Sequence, residues 1–552
     1  MNYKKAFHVI NMDPASYMRR FAVPVIIFGF LFAFIFYFLL PDLFSGPANI
    51  IPALIPAVCI LFAVYYPLSS AQGRGSQIDN QMHYYVTQMG SIATAETPRV
   101  DIVRILSENE EYGYLADETK KIYELVTVWN MSLADACRFV AKRTPSVIFE
   151  DFLDRLAHGL KSGEDIKEFL LSEQNVVMNE YESMYNGAMY SVEIIKEMFV
   201  SLVMSLIFLA SFAVIMPVIT GMDAVVLMLI VLVTFIGTDI MMIMFTHSKV
   251  PRDLLWQKPG RLIPDFRLKL YRSIPISLAG CILVTIIVLI HGDIELPIAV
   301  AMCLTPLAYT GRVCSNIEKS IRRRDENYPA FIRSLGSSAG ARGGLVDEAL
   351  KSLRIHDFGP LTKDVNGLFR RLTTRVDKIR SWELFAEGTG SNLIKRFSVM
   401  FVEATHLGGK PEIIGDMIAV NFHKILNLRK KRFQSAGSLV GVFYGLTAGI
   451  GFTLYISLGV VKLMQDMFHT IDMPTGMSMG MVIYTDVGSI EVLSALVLVI
   501  MVAHSLFSAM LLKVVDGGHM LNSLTNFVIM VWIAGVSAVV TQIGIESLLG
   551  IS

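Results

Sequence analysis

SLGSSAGARGGLVDEALKSL, residues 334–353, places four glycines (Gly336, Gly340, Gly343 and Gly344) just ahead of a run with helical spacing. Two folds compete for such a stretch: the phosphate-cradling loop of a nucleotide-binding α/β domain, or a tight joint in a helical bundle. A Walker loop needs GxxxxGK[ST] after a strand, because the Lys reaches the phosphates and the hydroxyl holds magnesium. GSSAGARGGL contains no GK[ST]. The preceding NYPAFIRSL sets Tyr328, Phe331, Ile332 and Leu335 on one side of a helix, so no strand leads into the glycines.

A weaker copy of the stretch decides the matter. At an offset of 246 residues, Gly90–Ser91 matches Gly336–Ser337, Ala93 and Ala95 match Ala339 and Ala341, and Val100–Asp101 matches Val346–Asp347. At an offset of 245, Ala141, Thr144 and Ser146 match Ala386, Thr389 and Ser391, Phe152 matches Phe397, and Gly163 matches Gly408. The copy MGSIATAETPRVD has lost three of the four glycines, so phosphate binding cannot be the shared role. What the two share is helix, small-residue turn, helix, with Asp101 and Asp347 in the first turn of the second helix, where a carboxylate suits the dipole. The repeat predicts two duplicated helical bundles, at 68–196 and 311–436.

The rest of the chain reads as membrane. Of 552 residues 53% are hydrophobic and 17% are charged, against about a quarter charged in a soluble chain. Apolar runs near the roughly 20 residues a spanning helix needs lie at 21–40, 48–67, 197–219, 224–245, 274–290, 294–310, 437–461, 492–512 and 524–545, the fifth and sixth being short. The expected fold is therefore all-α: nine transmembrane helices, spans 1–2 within 21–67, 3–4 within 197–245, 5–6 within 274–310 and 7–9 within 437–545. Polar segments at 1–20, 68–196, 246–273 and 311–436 join them, and a tail follows at 546–552. The first apolar run is too long for a signal-peptide core and is read as a retained span. The loops 41–47, 220–223, 291–293 and 463–491 and the tail hold no Lys or Arg, while 46 of the 48 basic residues lie in the other segments and Lys462 and Lys513 stand at span ends. That asymmetry predicts a cytoplasmic N-terminus and an outer C-terminus.

The two large polar segments differ in sign. Residues 68–196 carry 12 basic and 20 acidic side chains, and residues 311–436 carry 23 and 13. The loop 246–273 adds 7 basic against 2 acidic. Fields of opposite sign orient partners. The basic candidates are Arg322, Arg323 and Arg324, the mid-domain run Arg370, Arg371, Arg375, Lys378 and Arg380, and the juxtamembrane cluster Arg429, Lys430, Lys431 and Arg432. Anchoring to the inner leaflet accounts for the last cluster as readily as a protein contact does.

Within the membrane, Gly437, Gly441, Gly445 and Gly449 make three overlapping GxxxG steps on one helix face. Such a face lets helices touch, and packing within the chain is the slightly favoured reading over a dimer seam or a groove for another helix. Asp239 and His504 are ionisable side chains set well inside spans, and interhelical hydrogen bonding is the expected role for two such groups alone. Loop 463–491 is rich in Met, a residue that adapts to varied partners, and DGGH (516–519) reads as a turn. The five cysteines are scattered without a CxxC, so neither a disulfide framework nor a zinc site is expected. There is no HExxH, GxSxG or Walker motif, which leaves an enzyme unsupported. A transporter would place several polar groups near the midplane and would leave both polar domains unexplained.

The unit Φ-x-x-x-Φ-G-S-x-A-x-A…Φ-D, followed by FA-x-x-T-x-S, an amphipathic helix and a span, resembles the membrane platform of type II secretion and type IV pilus systems, the F-domain family. Two such units, nine spans and an outer C-terminus are most similar to the archaeal form, the archaellum assembly platforms. The resemblance implies a non-enzymatic part of the cytoplasmic membrane, without cofactor, metal or nucleic acid. It implies docking of a hexameric secretion ATPase, movement of archaellin or pilin subunits into a filament, contact with lipids, and a homodimer. Basic cytoplasmic surface is the expected ATPase contact, by charge alone. Archaeal adhesive-pilus or type II-like platforms share this plan.

Overall fold

The computed structural model describes residues 3–10, 12–39, 50–220, 222–251, 253–258, 264–292, 294–470 and 490–549. Among them the regular structure is helical, with one isolated bridge between Trp256 and Ser391. Of the expected Met-rich loop 463–491, residues 463–470 continue the helix Pro411–Thr470, 490–491 begin the helix Ile490–Asp516, and 471–489 lie outside the described residues.

Six described helices are long and apolar enough to cross a bilayer: Ile166–Thr220, Ala224–Lys249, Asp265–His291, Pro411–Met464, Ile490–Asp516 and Met520–Ile545. A seventh candidate is the pair Leu296–Leu304 and Leu307–Gly340, bent by 42°. The bend falls at Thr305–Pro306, where proline has no N–H to give and crowds the preceding turn. The described residues thus supply six or seven of the nine expected spans. The first, Val23–Leu39, has 17 residues, about 26 Å of helix against a hydrocarbon core of about 30 Å. The second forms the start of the 44-residue helix Ile50–Ala93.

The two polar regions run through the same elements in the same order. The first has Ile50–Ala93, Arg99–Glu108, the 3-10 turn Glu110–Tyr112, Tyr114–Thr127, Leu133–Ala141, Val147–Ser162 and Ile166–Thr220. The second has Leu307–Gly340, Val346–Leu353, the 3-10 turn Gly359–Leu361, Thr362–Thr373, Lys378–Thr389, Asn392–His406 and Pro411–Thr470. Details recur at the sequence offset. Asn130 and Arg375 both take left-handed backbone, at φ 52° and 56°. Ser146 accepts a hydrogen bond from the Phe149 N–H, and Ser391 accepts one from the Ile394 N–H. Each of these serines also donates to a carboxylate of the opening long helix, Ser146 to Asp79 and Ser391 to Asp325.

The chain divides into two compact units. One comprises Met1–Ser183, Gly336–Leu345 and Met400–Met417, and the other Met184–Leu335, Val346–Val399 and Ile418–Ser552. The core of the first is aromatic: Tyr85 meets Phe149, Phe152 and Tyr112 edge-on at 5.6–6.3 Å between ring centres. In the second, Phe331 packs on Trp382 and Phe385, and Tyr328 packs on Phe422 at 4.8 Å. Each buried Phe contributes about 2 kcal/mol through lost contact with water.

The glycines of the opening stretch divide into two roles. Gly336 and Gly340 belong to the helix, and Gly343 and Gly344 form the turn that ends it, at φ 66° and 90°. A methyl at Gly336 would collide with the Pro411 carbonyl and lie 3.0 Å from the Gly415 Cα, so the two long helices touch there through backbone. Gly90 takes the corresponding place in the first region, but more loosely, with Leu170 O at 3.8 Å.

Candidate functional site

Charged side chains that read alike in sequence separate into two populations. Arg429 is buried. Its guanidinium donates twice to Asp253, at 2.6 Å each, once to Asp325 at 3.1 Å and once to the Leu254 carbonyl at 3.0 Å. Arg432 is also buried and caps a helix end: it donates to the carbonyls of Val514, Val515 and Pro251 at 2.5–3.2 Å. A guanidinium can saturate three carbonyls because its five donors lie in one rigid plane. Arg322 pairs with Asp516 at 3.1 Å and lies 3.4 Å over the Phe433 ring. Arg324 pairs with Asp364 at 3.1 Å. Arg371 is half-buried near the same carboxylate, and burial pushes its guanidinium down from the usual arginine value.

Alongside this set lies a second cluster. Lys513 binds Glu318 at 2.8 Å and Asp516 at 2.5 Å. Glu318 also accepts from the Trp256 indole, the His519 N–H and the Asn522 amide. Together these groups tie the segment 251–256, the start of the second polar region, the end of the Pro411 helix's polar part and the 516–522 turn at the edge of the spans. An exposed pair contributes little. These pairs are held inside, so removing one partner would leave a bare charge buried. Sequence reading singled out the arginines of this network, placed Lys513 only at a span end and Asp516 only in a turn, and missed Asp253, Glu318 and Asp325. The available signal was that loop 246–273 holds only two acidic residues, one of them Asp253.

The remaining cations face outward. Arg323, Arg370, Arg375, Lys378, Lys430 and Lys431 are exposed. Lys378 approaches Asp347 at 3.7 Å, Lys431 donates to Asn186, and half-buried Arg380 pairs with Glu383.

In the spans, His504 and Asp239 meet at 3.1 Å, joining the Ile490 helix to the Ala224 helix. Ser508 lies 3.3 Å from the other imidazole nitrogen, and the Phe199 ring stacks on His504 at 5.9 Å. Gly437, Gly441, Gly445 and Gly449 do not pack against another described helix: an added Cβ at each would have nothing within 4 Å. Gly445 and Gly449 instead line an open crevice of about 340 Å³ with Met204, Ile207, Leu446 and Thr453. Among the described residues no group of His, Cys, Asp or Glu is placed to hold a metal.

Comparison with known proteins fits this architecture. Residues 85–214 match the family model of the type II secretion system (T2SS) protein F. Flagella accessory protein J of Methanocaldococcus jannaschii is 34% identical, the match covering 98% of this chain and 97% of that one. Flagella accessory protein J of Methanococcus voltae is 36% identical, with 98% of each chain covered. No solved structure matches the chain. With its helices, its membrane spans and its similarity from end to end, the chain belongs to the flagella accessory protein J family, multi-pass membrane proteins of the archaeal flagellum that carry the T2SS F domain.

Proposed function

We propose that the chain is the cytoplasmic-membrane platform of the archaellum, docking a hexameric secretion ATPase and passing its motion to filament subunits and rotation. The N-terminus and both polar regions lie in the cytoplasm, the C-terminus lies outside, and the two polar regions are copies of one unit. End-to-end similarity to two proteins named for flagella carries the reading and favours it over an adhesive-pilus platform. The platform itself is non-catalytic. The ATPase contacts the positive second region through its outward cations, above all Arg370, Arg375 and Lys378. The buried Arg429 and Arg432 hold that surface to the spans. The open glycine face 437–449 receives a hydrophobic helix of a filament subunit or of a second platform.

The test is binding of the purified cognate ATPase to the full chain in liposomes. Charge-driven docking weakens as salt screens it, with a Debye length of about 10 Å at 0.1 M. Arg370→Glu with Arg375→Glu and Lys378→Glu is expected to weaken binding about tenfold or more. Binding indifferent both to salt and to this triple change would remove the docking claim.

A further inference from the structure

The two polar regions present one corner of the bundle with its charges reversed. In the first region the corner is the pair Tyr114–Thr127 and Leu133–Ala141, and in the second it is Thr362–Thr373 and Lys378–Thr389. The joining turns, 128–132 and 374–377, differ by one residue and agree from their left-handed position onward. Asn130 and Arg375 share the left-handed position, and Ser132 and Asp377 cap the following helix, accepting from the Asp135 and Arg380 N–H groups. At offset 246 in the first helix Asp117 corresponds to Lys363 and Glu124 to Arg370, and at offset 245 in the second helix Asp135 corresponds to Arg380 and Arg138 to Glu383. All eight are exposed or half-buried. Glu118 and Asp364 keep one sign and are paired within their own regions, to Lys121 and to Arg324, as Asp135 is to Lys161 and Arg380 to Glu383, so the reversal rests chiefly on Asp117 against Lys363 and Glu124 against Arg370.

Each corner also carries apolar surface in water. Val128 and Trp129 are 71% and 74% exposed on the first, and Val376 and Ile379 are each 38% exposed on the second. Apolar anchors ringed by charge are the anatomy of a protein interface, and an exposed Trp is the residue type most often found at its energetic centre.

We propose that the first-region corner of one chain docks on the second-region corner of a second copy. The four first-region positions are net acidic and the four second-region positions net basic, so the two faces attract when they meet. First-region corners meeting each other would set like charges together, so the pattern selects the unlike pair. The contact between copies goes beyond the platform reading and does not rest on it; only the exclusion of the ATPase does. Arg370, Arg375 and Lys378 also serve the proposed ATPase contact, so the two partners exclude one another at that corner.

The experiment uses the purified full chain in liposomes with the photo-reactive benzoylphenylalanine in place of Trp129. The expected product is a covalent pair of chains, with the new bond on residues 354–388 of the second copy. Asp117→Lys with Glu124→Arg lowers the yield about tenfold, and Lys363→Asp with Arg370→Glu does the same. Mixing the two charge-swapped chains restores it. On the unaltered chain, raising salt from about 0.05 to about 0.5 M also lowers the yield. A bond mapping elsewhere, a yield indifferent to salt, or no restoration on mixing each overturns the proposal. Adding the ATPase should deplete the self-crosslinked pair, and a yield unchanged at saturating ATPase overturns the exclusion.

Discussion

Asp79 carries an unusual burden for a carboxylate. It stands inside the first region, accepting from the Ser146 hydroxyl that caps the next-but-three helix. Burial pushes its carboxyl up to about 6, the Ser146 hydrogen bond pulling back and the nearby Glu180 adding to the rise. The folded value then exceeds the unfolded one of about 4. Between these values the folded chain holds more protons than the unfolded chain, so stability falls as pH rises through that window and stays lower above it. We expect thermal unfolding of the full chain in liposomes to occur at a lower temperature at pH 7 than at pH 5. Asp79→Asn, which keeps an acceptor for Ser146, should reduce that difference, by at most about 3 kcal/mol. A pH dependence unchanged by the substitution would show that other groups set it. Residue roles of this kind were only partly legible in the sequence. The Thr144-x-Ser146 motif is visible in both repeats, but nothing local reveals that its serine reaches a carboxylate 67 positions away. Arg429 and Lys430 are neighbours of one sign in the sequence. Helical geometry turns one into the core, where Asp253 and Asp325 wait, and the other to the outside.

At the scale of elements, two sets of glycines look alike in the sequence and behave oppositely. Gly336 is small because the Leu307 and Pro411 helices touch through backbone, with no room for a side chain. Gly437, Gly441, Gly445 and Gly449 have open space in front of them. Spacing alone favoured internal packing for the second set, because a GxxxG face carries no information about whether its partner belongs to the same chain. The difference is measurable. Gly336→Leu should destabilise the chain by several kcal/mol, since backbone cannot retreat as a flexible side chain can, consistent with about 1–3 kcal/mol for ordinary overpacking and more where the clash is with main chain. Gly445→Leu should leave the unfolding temperature of the isolated chain within a few degrees and still stop filament assembly in cells. Equal stability losses at both sites would place the second face inside the chain after all. The bend at Thr305–Pro306 is another element-scale feature: hydropathy at 294–310 suggests a short span, and only the missing proline N–H explains why helix direction changes by 42° there.

Over the whole molecule, charge is distributed to serve two demands at once. The bilayer requires Lys and Arg on one side, and the two polar regions keep a difference in sign despite that shared constraint: net acidic at 68–196 and net basic at 311–436. Helical class and six or seven of the nine expected spans were legible because each rests on composition over some twenty residues. Unit boundaries were less so, because helices such as Ile166–Thr220 and Pro411–Thr470 run from polar region into span without a linker to mark a break. The proposed orientation rests on the same charge count and is checked by labelling. A membrane-impermeant maleimide applied to intact cells should modify Ser45→Cys, in the Lys- and Arg-free loop 41–47, and should modify Thr374→Cys, exposed on the basic region, only after lysis. The unaltered chain gives the blank. Its Cys137 is buried, and burial pushes the thiol up to about 12, leaving almost no thiolate to react at neutral pH. The reverse pattern would put the basic surface outside the cell, out of reach of any ATP-driven partner. The docking proposal would fall with it, while the family assignment, which rests on similarity along the whole chain, would stand.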